Sequence, residues 1–415
     1  MSADVIYLDN AATSWPKPAC VAEAMTEFLA RSAGNPGRGG HRLARMAAQP
    51  PENVRKLFAS AFGASSVERV VLTHGCTDAV NIAIHGVLSG SARSGLSATR
   101  PHVLASSVEH NAVLRTLQCY AERDAIALQF VPCDGRGWTD PDVVRRMLRA
   151  ETELVCVSHA SNACGTIQPV REIGTLVREQ TERGLLLVDA AQTAGHVGIR
   201  MDDDHVDLLT VAGHKGLLGP TGTGALLVGE RAWPEDARER RLVCERRGGT
   251  GAAGRGMSMP DTLPDALEAG TVNAVGFAGL LAGMCHEIPG RHDHEQAAVV
   301  RLLDGLGTIR GITTQGLPTS TGRTAVVLFT IDGWHPREAA AALDDDHGVC
   351  VRGGTHCAPL LHEALGNGDL GALRISPGWA TTPNEIDRVL EIIDRMAKDA
   401  RQRSFGARCS ESSAR

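Results

Sequence analysis

Lysine is scarce in this chain. Lysine and arginine together number 42 in 415 residues, yet lysine occurs only as Lys17, Lys56, Lys215 and Lys398. Lys215 follows an apolar run, Leu208–Val211, and sits beside His214 and ahead of the glycine-rich GLLGPTGTG. Asp189 closes an earlier apolar run, Leu185–Val188, and Gln192 follows shortly after it. A lysine amine can condense with a carbonyl cofactor, and pyridoxal 5'-phosphate (PLP) enzymes pair that lysine with an acid for the pyridinium nitrogen. Taken singly, a surface lysine and a helix-capping aspartate are the plainer readings. At the ends of two strands of one α/β unit they point to a cofactor site. Such a site also needs a phosphate cradle. In THGCTDAVN (73–81), which follows a strand and opens a helix, Gly75, Cys76 and Thr77 offer backbone N–H groups and a hydroxyl at a helix N-terminus, where an anion is favoured. An ordinary N-cap would carry the same residues.

A second constellation lies near the C-terminus. Cys357 stands in a loop of small residues, RGGTHCAP (352–359), beside His356 and downstream of Arg352. Cationic or polar neighbours raise the thiolate fraction of a thiol. A buried structural cysteine is the alternative, and it suits most of the other cysteines, Cys350 inside its apolar run included. Two glycine patterns carry no such weight. GTGAAG (249–254) matches GxGxxG but lacks the strand before and the helix after that a dinucleotide site requires, and GPTGTG (219–224) lacks the lysine of a P-loop. His292 and His294 are two apart on a helical stretch and point apart, so HDHE reads as a charged face and no metal site is expected.

The elements that must position these residues alternate along the chain. Apolar runs at Val70–Thr73, Val103–Ser106, Ala127–Val131, Leu154–Ser158, Leu185–Val188, Leu208–Val211 and Ala225–Val228 are separated by amphipathic stretches such as Asp140–Arg149 and Val170–Arg183. That order predicts an α/β fold with a largely parallel sheet, covered on both faces, whose functional residues collect past the strand carboxyl ends. Residues 230–273, rich in Gly, Pro and Met, read as a long loop. A helical stretch over Ala274–Leu306 follows, then strands at Thr324–Ile331, Val349–Arg352 and Leu373–Ser376 and helices after Pro336 and from Pro383 to Ala397. These describe a smaller α+β domain. The expected partition is a large domain over 15–270, a small one made of 1–14 with 271–400, and a frayed tail over 401–415.

Composition excludes other classes. Hydrophobic residues at 43% and charged residues at 22% are those of a globular chain. With seven Phe, five Trp and two Tyr, the core must be aliphatic. A net charge of −6 gives no reason to expect nucleic acid as a partner. Eleven cysteines with irregular spacing and no CxxC are not a disulfide framework. No secretory signal or membrane-length apolar run occurs, so a reducing cytoplasm is the expected location.

With these residues assembled, the chain resembles the class V aminotransferase family of fold-type-I PLP enzymes. Within it, the chain is most similar to cysteine desulfurases of the second group, those of SUF iron–sulfur assembly and the selenocysteine lyases. The resemblance runs through YLDNAAT (7–13), NPGRGGHRLA (35–44), SVEHNAV (107–113), HASNACGTIQPV (159–170), VDAAQTAGH (188–196), GHKGLLGPTGTG (213–224), EAGTVN (268–273) and RGGTHCAP (352–359). It implies that Lys215 is the lysine bonded to the cofactor and the base that moves protons. Asp189 would keep the pyridine nitrogen protonated, His110 would stack on the ring, and Gln192 and Asn162 would bond near the phenolic oxygen or the substrate. Cys76, Thr77 and His214 would hold the phosphate, completed by Thr271 from the second subunit of a homodimer. Arg374 would grip the substrate carboxylate, with Arg352 near the substrate. Cys357 would take sulfur from L-cysteine or selenocysteine as a persulfide, leaving L-alanine, and pass it to a thiol or an unidentified acceptor protein.

Several positions depart from that pattern. Ala212 stands where relatives carry a phosphate-binding serine, Cys76 where a threonine is frequent, Asn111 where a second histidine is common, and SPGWATT follows Arg374 without the usual Asn-Thr ending. Two other readings therefore stay open. One is a different PLP reaction on the same fold (C–S lyase, epimerase or aminotransferase), which would not need Cys357. The other is a non-catalytic scaffold, which would not need Lys215, Asp189, His110 and Arg374 together.

Overall fold

A computed structural model of the chain describes residues 5–37, 39–94, 100–250 and 257–412, without the side chains of 92–94 and 404–412. Residues 251–254 of the GTGAAG segment and Arg38 of NPGRGGHRLA lie outside the described residues.

After β1 (Ile6–Tyr7), α1 (Ala19–Arg31) and α2 (Arg42–Phe62), the chain enters its main sheet. The strands are β2 (Val70–Thr73), β3 (His102–Ser106), β4 (Ala127–Val131), β5 (Thr152–Ser158), β6 (Leu185–Asp189), β7 (Leu208–Ala212) and β8 (Gly224–Val228). Their spatial order is β2-β8-β7-β6-β5-β3-β4. Only β8 runs against the others, antiparallel to both β2 and β7. The helices of this region are α3 (Cys76–Ser94), α4 (Asn111–Ala121), α5 (Pro141–Met147) and α6 (Val170–Gln180).

The aliphatic runs explain the layers. Successive strand residues point to opposite faces, and each run is apolar at both parities. Val70, Leu72, Val155, Val157, Leu186, Val188, Leu209 and Val211 pack with Phe58, Ile173, Val177 and Phe277 on one side. Val71, Leu154, Cys156, Leu185, Leu187 and Leu208 pack with Val80, Ile84, Val87 and Leu117 on the other. Because β2, β3, β5, β6 and β7 share a direction, Thr73, Ser106, Ser158, Asp189 and Ala212 all end at one edge. The outer strand β4 is more exposed than the rest.

Beyond the long loop, which among its described residues holds only a single 3-10 turn at Ala237–Glu239, come α7 (Ala274–Cys285) and α8 (Arg291–Thr308). The helix expected over 274–306 is thus two helices. Pro289 lacks an N–H to continue it, and Gly290 at φ 69° reverses the chain before α8. An antiparallel sheet follows: β9 (Ile312–Gln315), β10 (Val327–Ile331), then α9 (Pro336–His347), β11 (Val349–Cys350), β12 (Arg352–Gly354), α10 (Pro359–Ala364), β13 (Ala372–Ile375) and α11 (Pro383–Ser412). Its order is β12-β13-β10-β9.

Several boundaries differ from the sequence reading. β10 begins at Val327 rather than Thr324, because Arg323 and Thr324 bridge to Thr166 and Gly165 of the main-sheet region. The run Val349–Arg352 splits between two sheets: β11 pairs in parallel with β1, and β12 pairs with β13. Cys350, expected as a buried structural residue, is half-exposed, with its thiol toward Asp344 at 3.6 Å. The last helix runs on to Ser412, into the segment expected as a frayed tail. The helices α1 and α2 precede the segment whose elements were read from sequence, and the Pro50–Pro51 pair inside α2 disguises that helix.

Candidate active site

A cavity of about 680 Å³ opens at the shared strand edge. Lys215, Asp189, Gln192, His110, Cys76, Thr77, His214, Asn162, Arg352 and Arg374 all line it. Cys357 is in the turn that follows Arg352, next to His356, which also lines the cavity. Thr271 does not reach the cavity of its own chain; it lies in a small depression with Thr73, His74 and Arg246.

Lys215 is carried by a turn just past β7. The segment 13–17 fastens that turn, because the His214 carbonyl accepts from the Ser14 N–H, the Thr13 hydroxyl and Lys17 Nζ, the last at 2.7 Å. Burial lowers the affinity of the Lys215 amine for a proton, opposed by Asp189. A lysine shifted that way is a better nucleophile at neutral pH. Burial also pushes His214 down to about 4, so its ring is neutral, and its Nδ1 is buried without a hydrogen-bond partner.

Asp189 ends β6. Its Oδ1 accepts from the Ala191 N–H at 2.8 Å and from the Cys76 thiol at 3.2 Å. Burial and Asp189 push the Cys76 thiol up, which keeps it protonated and donating. The Cys76 side chain therefore turns toward Asp189, while the first turn of α3 offers its backbone to the cavity. His110 caps α4, its Nδ1 accepting from the Ala112 N–H at 3.0 Å. Burial lowers its pKa, so the proton of the neutral ring sits on Nε2.

Arg374, 1% exposed, projects from β13. One terminal nitrogen donates to the Asn162 carbonyl at 2.8 Å and the other to Asp9, while Nε has no partner. Asp9, part of YLDNAAT, had no role assigned from sequence; its carboxylate holds the arginine side chain in place. Gln192 Nε2 donates to the Ala11 carbonyl at 3.0 Å. Asn162 Nδ2 donates to the His356 carbonyl at 2.5 Å, so that side-chain amide is tied to the thiol-bearing loop.

That loop is strained. His356 and Cys357 have φ of 52° and 58°, and the Ala358 N–H returns to the Thr355 carbonyl at 2.9 Å. Positive φ at both central residues is the signature of a type I′ turn, usually built from Gly, Asn or Asp. Left-handed backbone at such residues costs on the order of 1–3 kcal/mol each and persists where surroundings impose it. Here Asn162 holds the His356 carbonyl and the Asn111 N–H holds the Cys357 carbonyl at 2.7 Å. Arg352 places a guanidinium nitrogen 3.9 Å from Cys357 Sγ. His356 supplies no such charge. Burial and Arg374 hold its pKa well below the ordinary value, and both ring nitrogens are bonded elsewhere.

Among the described residues no group of His, Cys, Asp and Glu could hold a metal ion. The HDHE stretch is not simply a solvated face, since Glu295 is buried between His196 and Arg291, each at 2.9 Å. No described helix is long and apolar enough to cross a membrane.

The family model for class-V aminotransferases matches residues 6–389. A probable cysteine desulfurase of Pyrococcus abyssi is 32% identical over 97% of this chain and 96% of its own length. Another, from Methanothermobacter thermautotrophicus, is 32% identical over 95% of each chain. Among solved structures, the apo cysteine desulfurase of Thermococcus onnurineus superposes with a TM-score of 0.85 at 30% identity, covering 95% of both chains.

Proposed function

We propose, for a chain that belongs to the class-V aminotransferase family, that this cavity binds PLP and that Cys357 receives the sulfur of L-cysteine. The activity is that of a cysteine desulfurase: L-cysteine is converted to L-alanine and its sulfur leaves on a thiol.

The residues present fit PLP. The buried, unpartnered Nδ1 of His214 and the open first turn of α3 at Cys76 and Thr77 suit a phosphate. Oδ2 of Asp189 is the oxygen left for a pyridinium N–H, because Oδ1 already accepts two donors. Lys215 is the amine that would bond the cofactor carbon, His110 would face the ring, and Gln192 would donate to the phenolic oxygen. When bound, PLP supplies an electrophilic carbon for the substrate amine and a ring that accepts its electrons.

The chain's own groups do the rest. Arg374 binds the substrate carboxylate through Nε and its remaining N–H groups, and Asp9 and Asn162 stop it from swinging. The Lys215 amine takes and returns protons at the substrate carbons. The Cys357 thiolate, with Arg352 beside it, attacks the substrate sulfur. A sulfur–sulfur bond forms as the carbon–sulfur bond breaks, and its electron pair stays with the carbon skeleton that becomes alanine. A thiol then takes the sulfur from the Cys357 persulfide. The single observation that carries this reading is Asn162. Its carbonyl holds the carboxylate-binding arginine and its amide holds the thiol-bearing turn, which joins both to one cavity.

Two further features belong to this reading. Thr271, which does not line its own cavity, would complete the phosphate site of a second subunit in a homodimer. The acceptor is a thiol compound or a partner protein, and selenocysteine offers Arg374 and Lys215 the same carboxylate and amine as cysteine. The test is release of alanine and sulfide from L-cysteine with a reductant present. Cys357→Ala should keep the yellow colour of bound PLP and lose both products. A yellow wild type that makes no alanine, or a variant that still makes it, would exclude the persulfide route and favour another PLP reaction.

A further inference from the structure

Against the thiol-bearing turn lies a polar chain, buried at its two histidines, that the reaction does not use. The Nε2 of His356 is 3.2 Å from the carbonyl of Arg352, and its Nδ1 is 3.2 Å from Nε2 of His362. The two rings stack with centroids 5.3 Å apart and are 2% and 0% exposed. The Nδ1 of His362 is 3.1 Å from Nδ2 of Asn367, and Asn367 exchanges two amide bonds with Gln315, at 2.7 and 2.9 Å.

The protons of this chain can be assigned from one end. A carbonyl only accepts, so His356 Nε2 carries a hydrogen for Arg352. A neutral imidazole then accepts at its other nitrogen, so His362 Nε2 must donate to His356 Nδ1. His362 Nδ1 in turn accepts, and Asn367 Nδ2 is a donor. Gln315 orients that amide by taking the second Nδ2 hydrogen and donating to its oxygen. From Asn367 through His362 to His356 each link thus donates toward Arg352, and no position conflicts with its neighbours. Burial pushes His362 down to about 4 and holds His356 well below its ordinary value, so both rings stay neutral and the order is kept.

We propose that His362, backed by Asn367 and Gln315, is a positioning residue that locks His356 in one tautomer and so holds the left-handed turn carrying Cys357 against Arg352. The inference rests on the reading of Cys357 as the sulfur acceptor. The link to the reaction is geometric: the chain ends on the backbone of Arg352, whose guanidinium lies beside Cys357 Sγ, and it closes 352 to 356 as one unit. The spacing is visible in THCAPLLHEALGN (355–367), where α10 carries His362 back over the turn.

The holoenzyme tests this with three variants. His362→Phe keeps a ring and removes both nitrogens. Asn367→Asp keeps the shape and removes the donor to Nδ1. His362→Gln keeps one donor and one acceptor. Two quantities are read: amide hydrogen exchange in the peptide covering 353–360, without substrate, and steady-state alanine release. The first two variants should exchange faster by about tenfold in that peptide alone. Their kcat should fall about ten- to a hundredfold with PLP content and KM near wild type, since displacing a reacting group by about 1 Å has that effect. His362→Gln should restore both. Wild-type exchange and kcat in His362→Phe overturns the proposal. If that variant instead loses PLP, Asn367→Asp decides, and wild-type exchange there overturns it equally. Alanine release by Cys357→Ala would end the persulfide reading while leaving the exchange result to stand or fall by itself.

Discussion

Glu109 lies beside His110 with no exposure to solvent. Its carboxyl accepts from the Ser158 N–H at 2.6 Å, and its second oxygen meets the Ser158 hydroxyl at 2.9 Å. Burial pushes it up to about 7, against those bonds. The folded chain therefore holds this proton more tightly than the unfolded chain does. Its contribution to stability is complete below the ordinary carboxylate range and is lost as pH rises through 7, by up to about 1.4 kcal/mol per pH unit. Glu109→Gln keeps an acceptor for the N–H and a donor for the hydroxyl without the titration. Thermal melts of the two proteins between pH 5 and 8, read as differences at each pH, should show the variant gaining relative to wild type as pH rises. A constant difference would place the ionised carboxylate in the folded state instead. Cys76 is the other residue whose part depends on its surroundings. It stands where a phosphate ligand is expected from sequence, and its thiol is bonded to Asp189.

At the scale of elements, the turns after the strands carry the candidate site residues and the tight packing around them sets their position. Gly216, next to Lys215, lies against the Ala194 carbonyl and the His196 ring, and a Cβ there would collide with both. Gly216→Ala should cost about 1–3 kcal/mol, as overpacking does, and should move the lysine turn with it. The measurements are denaturant unfolding of the apoprotein and the fraction of PLP retained after gel filtration. Normal stability with full PLP would mean that the turn yields without consequence. Strings such as SVEHNAV, HASNACGTIQPV, VDAAQTAGH and GHKGLLGPTGTG were legible in sequence because each runs on from a strand end, where backbone direction and residue type coincide. The helices before residue 69, the break between α7 and α8 and the split of β11 from β12 were not legible. Those depend on which neighbour completes the backbone hydrogen bonds, and periodicity does not report that.

The whole molecule brings its two ends to one place. β1 pairs with β11, Asp9 bridges to Ser376 and bonds Arg374, and segment 13–17 fastens the Lys215 turn. A homodimer would add Thr271 to this set, and complementation tests that. Lys215→Ala homodimers should be inactive and Thr271→Ala homodimers should hold PLP weakly. A doubly tagged heterodimer of the two has one cavity with its own lysine and an intact Thr271 from the partner, so it should recover roughly half of the wild-type activity. Activity no greater than the average of the parents would remove Thr271 from the shared site.

The amino-acid sequence by itself determined the α/β class and the cysteine desulfurase family, and it supplied the candidate lysine, aspartate, arginine and thiol. Aliphatic runs of strand length and rare reactive residues at their ends are local properties. Tertiary structure alone decided how those groups are held. Asp9 meets Arg374 across more than 360 positions, Asn162 joins two loops, and His356, expected as a cationic or polar aid to the thiol, is instead a neutral link in a buried chain. Burial and hydrogen-bond direction set these roles, and both are properties of the packed interior rather than of any stretch of sequence.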